Sequence, residues 1–224
     1  MTPSPIAGSQ SGAGLPALPA TLPELRHVRT LGATPERERQ ARRDARLMAE
    51  VKQGDAHAFE QIVDGHKDSL VNYLSRLTRC RDRAEEYAQE AFVRLYQNAD
   101  RYDERGLLAA YLFRVATNLV RTDERRRKRW RLLVPFIERD DRSREPSPQR
   151  EVLHEEASNV VAEAIAQLPL HFRAPLVMRE IEGWSYQEIA EALGCRIGTV
   201  KSRINRAKAQ LRERLERYWQ GEGR

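Results

Sequence analysis

The sequence predicts an all-α protein: two small helical domains joined by a flexible linker and preceded by a disordered N-terminal tail. Apolar residues recur at helical spacing through two long stretches of the chain. No segment shows the sustained alternation that is typical of a β-strand. Proline-rich polar segments precede and separate the two stretches. We therefore place the tail at residues 1–40, the domains at 41–133 and 157–218, and the linker at 134–156.

The N-terminal segment is rich in proline, glycine, serine and alanine, and it holds six of the chain's eleven prolines. Such a composition buries too little apolar surface to offset the entropy lost on ordering. It lacks the basic and apolar regions of a secretory signal. No apolar run approaches the roughly 20 residues needed to cross a bilayer. Two widely spaced cysteines, Cys80 and Cys195, suggest neither a disulfide framework nor a zinc site. We therefore expect a cytoplasmic protein with no membrane insertion.

The first domain begins with a short helical stretch that Gly54 ends. Asp55 then stands where it can cap the following helix. Asp82, with Glu85 three residues later, has the pattern of a capping box and predicts the start of a further helix. A polar loop at residues 98–106 separates that helix from the last helix of the domain.

The second domain contains the most informative stretch of the chain. Ser185 and Glu188 form a capping box at the start of a short helix. Gly194 supplies the left-handed turn that lets the chain reverse, and a further helix begins near Ile197. Two short helices joined by a tight glycine turn match the helix-turn-helix plan.

The outer face of the second of these helices carries polar and cationic donors, while Val200 and Ile204 face inward. A helix fits the major groove of DNA, where Arg and Lys can address guanine. A solvated basic helix would carry similar charge, but the capping box, the turn and the donor face together favour DNA reading. The predicted readers of DNA are Thr199, Lys201, Ser202, Arg203, Asn205 and Arg206.

A dense cationic run at residues 125–131 surrounds Trp130 and holds six Arg and Lys residues. Clustered cations repel one another, and a phosphate backbone would supply the counter-charge. The alternative is a solvated helix end, whose cations complement the helix dipole. The net charge of +6 agrees with an acidic partner such as nucleic acid.

The helix that begins near Asp82 is acidic, with Glu85, Glu86 and Glu90 along it. An acidic surface beside a buried face suits docking to a basic protein partner. A divalent-metal site is the alternative, but such a site needs carboxylates that converge from several elements. No metal-like histidine spacing, glycine-rich phosphate loop or nucleophile motif is present. We therefore expect no catalytic residue, metal, cofactor or small-molecule substrate.

Several segments resemble a known family, the extracytoplasmic-function (ECF) sigma factors of bacterial RNA polymerase. Its region two is similar to DAHAF at 55–59, AEEYAQEAF at 84–92 and YLFRVATN at 111–118. Its region four is similar to EGWSYQEIA at 182–190 and GTVKSR at 198–203. With the residues that lie between these segments, the resemblance covers nearly all of the chain outside the tail.

The resemblance implies that the two domains bind different partners. Region two would bind core polymerase through Glu86, Gln89, Glu90 and Arg94. It would also capture the melted −10 strand, and region four would read the −35 element as a duplex. An inhibitory anti-sigma factor is a further expected partner. The residues expected at the −10 strand are Asn98, Tyr102, Tyr111, Arg114, Asn118, Arg125 and Arg126.

Two other function classes stay open on the residues alone. A stand-alone DNA-binding regulator needs only the helix-turn-helix, and such regulators usually dimerise on two half-sites. That reading leaves the acidic helix and the loop at 98–106 without a role. A nucleic-acid enzyme would need a catalytic constellation, which the sequence does not show.

Overall fold

The computed structural model of the chain describes residues 35–103, 108–133 and 154–219. Throughout these ranges the regular structure is helical, and they contain no strand. The all-α prediction is confirmed. No helix in the described ranges is long and apolar enough to span a bilayer.

The limits of the predicted tail and linker differ slightly from the helix ends. Most of both segments lies outside the described residues. Residues 35–40, which the sequence placed in the tail, form the first turns of a helix. Residues 154–156, placed in the linker, likewise begin a helix. The start of α1 does carry a sequence signal, because proline is favoured at the first helical position and Glu36 and Glu38 lie in the first turn.

The helices form two consecutive groups, which we call the first and second modules. The first module consists of α1 (Pro35–Lys52), α2 (Ala56–Thr78), α3 (Arg81–Gln97), a 3₁₀ turn (Ala99–Arg101) and α4 (Leu108–Leu133). The second module consists of α5 (His154–Ala166), α6 (Leu170–Glu180), α7 (Tyr186–Leu193) and α8 (Ile197–Trp219).

The helix starts of the first module test two predicted caps. Asp55 caps α2 as predicted, because its side chain accepts hydrogen bonds from the backbone N–H groups of His57 and Ala58. The predicted cap at Asp82 is wrong. Helix α3 begins at Arg81, after Cys80, whose side chain makes no capping bond. Asp82 therefore lies inside the first turn, where its charge still favours the positive end of the helix dipole.

The core of the first module is built from the inward faces of all four helices. Leu47 of α1, Leu74 of α2, Leu95 of α3 and Leu112 of α4 are each at most 1% exposed. One polar pair lies among them: His66 Nε2 lies 3.0 Å from Asp44 Oδ2, with both side chains buried. A buried polar pair of this kind satisfies itself and fixes the register of α1 on α2.

The two modules pack directly against each other. The ring of Trp184, just before α7, lies 4.5 Å from the ring of Phe113 in α4, measured between centroids. Phe113 in turn lies 4.6 Å from Tyr73 of α2. All three side chains are buried. The sequence predicts two modules, and the structure adds that they share one aromatic contact region.

Polar contacts surround this aromatic cluster. Glu182 accepts a hydrogen bond from Ser69 at 3.3 Å. Burial raises the pKa of Glu182, although Ser69, Arg76 and Arg37 oppose the shift. On the other side of the cluster, the buried Arg173 guanidinium of α6 pairs with Glu124 of α4. The junction between the modules therefore contains charges as well as apolar surface.

Candidate nucleic-acid interface

The helix-turn-helix forms as the sequence predicts. Ser185 Oγ accepts a hydrogen bond from the Glu188 N–H at 3.2 Å. The Glu188 carboxylate accepts from the Ser185 N–H at 2.6 Å, which completes the capping box. Gly194 ends α7 in the left-handed conformation, with φ of 60°. The reversal at Gly194 brings α8 back across α7.

Helix α8 is packed by its apolar side. Val200 and Ile204 are 0% and 1% exposed, as predicted, and Ala207 continues the same buried stripe. The opposite side faces outward. Its exposed members are Lys201, Ser202, Asn205 and Arg206, while Thr199 and Arg203 are half-buried.

The aromatic ring of Tyr186 contacts one of these cations, Lys201. Lys201 Nζ lies 5.6 Å from the ring centroid of Tyr186. The Arg179 guanidinium lies 4.8 Å from the same ring. A cation within about 6 Å of an aromatic face is attracted by its quadrupole. Tyr186 thus holds two cations beside the exposed face of α8. These cation–ring contacts could not be predicted from local sequence patterns, because they join residues of three separate helices.

Two other cations of α8 have partners inside the module. Lys208 Nζ lies 2.8 Å from Glu180 Oε1. Arg203 Nη1 lies 3.9 Å from the sulfur of Cys195. Burial and the nearby Arg203 hold the pKa of His171 below its ordinary value. Within the predicted set, Lys201 and Arg206 are therefore the exposed cations, whereas Arg203 is half-buried.

The cationic run of the first module lies on the last turns of α4. Thr122, Arg125, Lys128 and Arg129 line one groove on its surface. Each of these four side chains is exposed. Positions 122, 125 and 129 follow helical spacing, so they share one face of α4. A row of cations along one helix face can supply counter-charge to a phosphate backbone.

Asp123 supplies counter-charge within this run. Its carboxylate accepts from Tyr87 Oη of α3 at 2.7 Å and from Arg127 Nε at 2.7 Å. Arg126 donates to it at 3.1 Å. Burial would raise the pKa of Asp123, but these bonds and charges hold it below its ordinary value. Burial and the same carboxylate raise the pKa of Tyr87 to about 12.

The residues expected at the −10 strand fall into two groups. Tyr102 is 8% exposed and packs edge-on against Tyr111, with ring centroids 5.3 Å apart. The Arg114 guanidinium lies 5.5 Å from the Tyr111 ring. These three side chains come together. Asn98 is the C-cap residue of α3, and its side chain donates a hydrogen bond to the carbonyl of Arg94 at 2.8 Å.

The remaining members of that set continue along α4. Asn118 lies one turn beyond Arg114, and both are exposed. Arg125 and Arg126 lie about two turns further on. Arg126 is tied to Asp123, whereas Arg125 faces the groove. The structure therefore arranges Arg114, Asn118 and Arg125 as a strip along one helix.

The residues expected to bind polymerase share one face of α3. Glu86, Gln89 and Arg94 are exposed, and Glu90 is half-buried. Glu90 accepts from Arg94 at 2.7 Å. Two apolar neighbours that were not predicted also lie on this face: Val93 and Tyr96 are 46% and 52% exposed. Their positions, off the buried stripe of α3, are the signal that could have identified them.

Comparison with known proteins decides the family. The "Sigma-70 region 2" model matches residues 62–131, and the "Sigma-70, region 4" model matches residues 158–211. Over 174 residues the chain is 34% identical to the ECF RNA polymerase sigma factor SigW of Bacillus subtilis, which covers 74% of this chain and 93% of that protein. The chain belongs to the ECF sigma factors. The region 2 match lies within the first module and the region 4 match within the second, so we call these modules region two and region four below.

Solved structures with a similar fold include that of a sigma factor. CnrH in complex with the cytosolic domain of CnrY aligns with a TM-score of 0.58 and 26% identity, over 78% of this sigma factor and 97% of CnrH. The sigma factor RpoE of Bartonella quintana, in complex with the anti-sigma factor NepR, aligns with a TM-score of 0.56 and 26% identity. That alignment covers 70% of this sigma factor and 96% of RpoE.

Proposed function

We propose that this sigma factor binds core RNA polymerase in the cytoplasm and directs it to promoters, without catalysing a reaction itself. Region four reads the −35 element as a duplex, and region two captures the melted −10 strand. One observation carries the proposal most directly. Helix α8 buries Val200 and Ile204 and presents Lys201, Ser202, Asn205 and Arg206 to solvent.

Reading of the −35 element relies on the exposed face of α8. Lys201 and Arg206 have the donors that address the O6 and N7 atoms of guanine. The ring of Tyr186 restrains Lys201, which lowers the entropy lost when that side chain meets a base. Ser202 and Asn205 lie between the two cations and add hydrogen-bonding groups. Arg203, half-buried beside Cys195, is better placed for a phosphate.

Capture of the −10 strand relies on α4 and the end of α3. Tyr111 is half-exposed and flanked by Arg114, so a flipped base would meet this ring first. Tyr102 lies behind Tyr111 and supports its orientation. Asn118 and Arg125 continue the strip, and their polar groups suit the backbone of a single strand. Arg126 contributes charge while Asp123 holds it in place.

Docking to polymerase relies on the exposed face of α3. Glu86 and Glu90 make it acidic, which complements a basic partner surface and steers association. Val93 and Tyr96 add the exposed apolar area that a protein interface needs at its centre. Gln89 and Arg94 complete the face. A surface that combines carboxylates with apolar side chains fits a protein partner better than DNA.

An anti-sigma factor is part of this proposal. The structure of the sigma factor RpoE of Bartonella quintana is a complex with an anti-sigma factor, NepR. An anti-sigma factor can regulate this sigma factor in the same way, because the surfaces that we propose to bind polymerase and DNA are exposed to solvent. The partner would have to cover acidic α3 and basic α4 together.

Reconstitution with core polymerase tests the proposed function. Purified sigma factor, added to core enzyme lacking any other sigma factor, is expected to give transcripts that start at discrete sites. The triple variant Lys201→Ala, Asn205→Ala, Arg206→Ala is the matched control, because it should still bind core enzyme but lose promoter choice. Failure of the wild-type protein to bind core polymerase would refute the proposal. Tight dimeric binding to a palindromic site without polymerase would favour a stand-alone regulator instead.

A further inference from the structure

The first turn of α1 reaches across the junction between the two regions. Arg37, in region two, places Nη1 2.7 Å from Glu188 Oε1 of α7. Its Nη2 donates to the carbonyl of Glu182 at 3.2 Å. The guanidinium carbon also lies 5.9 Å from the ring centroid of Trp184. One side chain of α1 therefore makes three contacts with region four.

This ion pair differs from an ordinary surface pair. The Arg37 and Glu188 side chains are 19% and 13% exposed. Exposed pairs elsewhere on α1, such as Arg42 with Glu38, are 83% and 62% exposed and lie within one helix. A largely buried, charge-assisted contact is screened less by water and salt than an exposed one. The Arg37 contact is therefore placed to influence how the two regions sit together.

Glu188 has two roles in this arrangement. Its Oε2 accepts the Ser185 N–H and so completes the capping box at the start of the helix-turn-helix. Its other oxygen, Oε1, accepts Arg37. The contact thus ties the N-terminal helix of region two to the capping box that begins the helix-turn-helix of region four.

The compact arrangement cannot serve both promoter elements at once, if the proposed function holds. The −10 and −35 elements are about 25 base pairs apart, which is roughly 85 Å at about 3.4 Å per base pair. A single compact body of about 160 residues has a radius of gyration of roughly 15 Å and a diameter of about 40 Å. The two regions must therefore separate when both elements are bound.

We propose that Arg37 is an intramolecular clamp that holds region four against region two in the free sigma factor, and that the clamp opens when both promoter elements are engaged. In this clamp, Arg37 of region two binds Glu188 and Trp184 of region four. This inference rests on the proposed function for its consequence, since a polymerase-bound sigma factor that spans both promoter elements must have its regions apart. The clamp itself is a property of the free chain.

Energy transfer between the two native cysteines tests the clamp without polymerase or DNA. Cys80 lies in region two and Cys195 in region four, and the chain has no other cysteine. A donor and an acceptor dye on these thiols report the separation of the regions in the full chain. We expect high transfer efficiency for the wild-type protein and a clear loss for Arg37→Ala. Arg39→Ala, an exposed neighbour on the same helix, should match the wild type.

A second variant keeps the test decisive if Arg37→Ala alters folding. Glu188→Gln keeps an acceptor for the Ser185 N–H, because glutamine also serves in capping boxes, but it removes the charge that Arg37 pairs with. We expect Glu188→Gln to lower transfer efficiency as Arg37→Ala does, and the double variant to lower it little further. Unchanged efficiency in both single variants would overturn the clamp, as would low efficiency in the wild type.

The rate of association with core polymerase gives an independent readout. If the clamp limits opening, Arg37→Ala should associate severalfold faster than the wild type and Arg39→Ala. Normal transcription together with unchanged energy transfer would refute the clamp and leave the proposed function intact. Altered energy transfer without any binding to core polymerase would refute the proposed function and leave the clamp intact.

Discussion

The ring of Trp184 lies 4.5 Å from the ring of Phe113, at an interplanar angle of 37°. The two residues are 5% and 2% exposed, so water is nearly excluded from their contact. Trp184 precedes the helix-turn-helix, whereas Phe113 lies in the core of region two. Because each ring completes the burial of the other, the two regions share stability as well as position.

Truncation of Trp184 should therefore destabilise the whole chain. We expect Trp184→Ala to lower the free energy of unfolding by about 3 kcal/mol, the usual cost of removing a large buried aromatic side chain. Urea unfolding followed by circular dichroism measures this change. Trp130→Ala is the matched control, because Trp130 is 63% exposed and its loss should cost less than about 0.5 kcal/mol. Equal effects of the two substitutions would show that the Phe113 contact does not form in solution.

The features that the sequence predicted correctly are local. The capping box of Ser185 with Glu188, the turn at Gly194 and the buried pair Val200 and Ile204 all follow from spacing within one or two helices. Each has a short-range physical cause: a backbone donor to satisfy, a positive φ to adopt, or an apolar face to bury. The helix-turn-helix and its outward donors were therefore predictable.

The features that the sequence missed depend on long-range contacts. Arg37 and Glu188 are 151 positions apart, and nothing in either local pattern indicates that they meet. The cap at Asp82 failed because two neighbouring starts for α3 were close in local preference. Tyr102 looks available for stacking in the sequence, but the approach of α4 covers it with Tyr111. Tertiary packing decides the Arg37 and Tyr102 contacts, whereas the start of α3 is a local choice.

Single cations of α8 should control promoter choice. We expect Lys201→Ala or Arg206→Ala to cost about 1–3 kcal/mol at one base position of the −35 element and little elsewhere. Binding of the reconstituted holoenzyme to a panel of −35 variants measures the effect. Lys208→Ala is the control, because Glu180 already pairs with Lys208. If Lys201→Ala weakened every promoter equally, Lys201 would contact phosphate and not a base.

Charge reversal on α3 should weaken binding to polymerase. Glu90→Lys removes the bond to Arg94 and places a cation on the acidic face. We expect at least a tenfold loss of affinity for core enzyme, about 1.4 kcal/mol, and a smaller loss at high salt. Fluorescence anisotropy of labelled sigma factor measures the affinity. Glu213→Lys serves as the control, because Glu213 has the same i,i+4 pairing with Arg217 on another helix; equal losses would exclude a specific role for α3.

The Tyr87 bond to Asp123 should make the stability of region two depend on pH. Asp123 has a lowered pKa in the folded protein, so its contribution is present above its ordinary pKa and is lost as the pH falls through the lowered value. Tyr87→Phe removes the first of the bonds that lower this pKa. We expect it to cost about 1 kcal/mol near neutral pH, with the difference from wild type shrinking below the ordinary value of 3.8. Urea unfolding at a series of pH values measures it, and a difference that stayed constant with pH would contradict this role of Asp123.

A footprint of the reconstituted holoenzyme tests most directly whether one chain reads two promoter elements through two regions. We expect protection of the −35 duplex and, at the same time, unpaired reactive bases around −10, both dependent on core polymerase. Arg206→Ala should weaken the first signal, and Arg114→Ala the second. Protection of two symmetric half-sites by the chain alone, with no unpaired bases, would contradict the account.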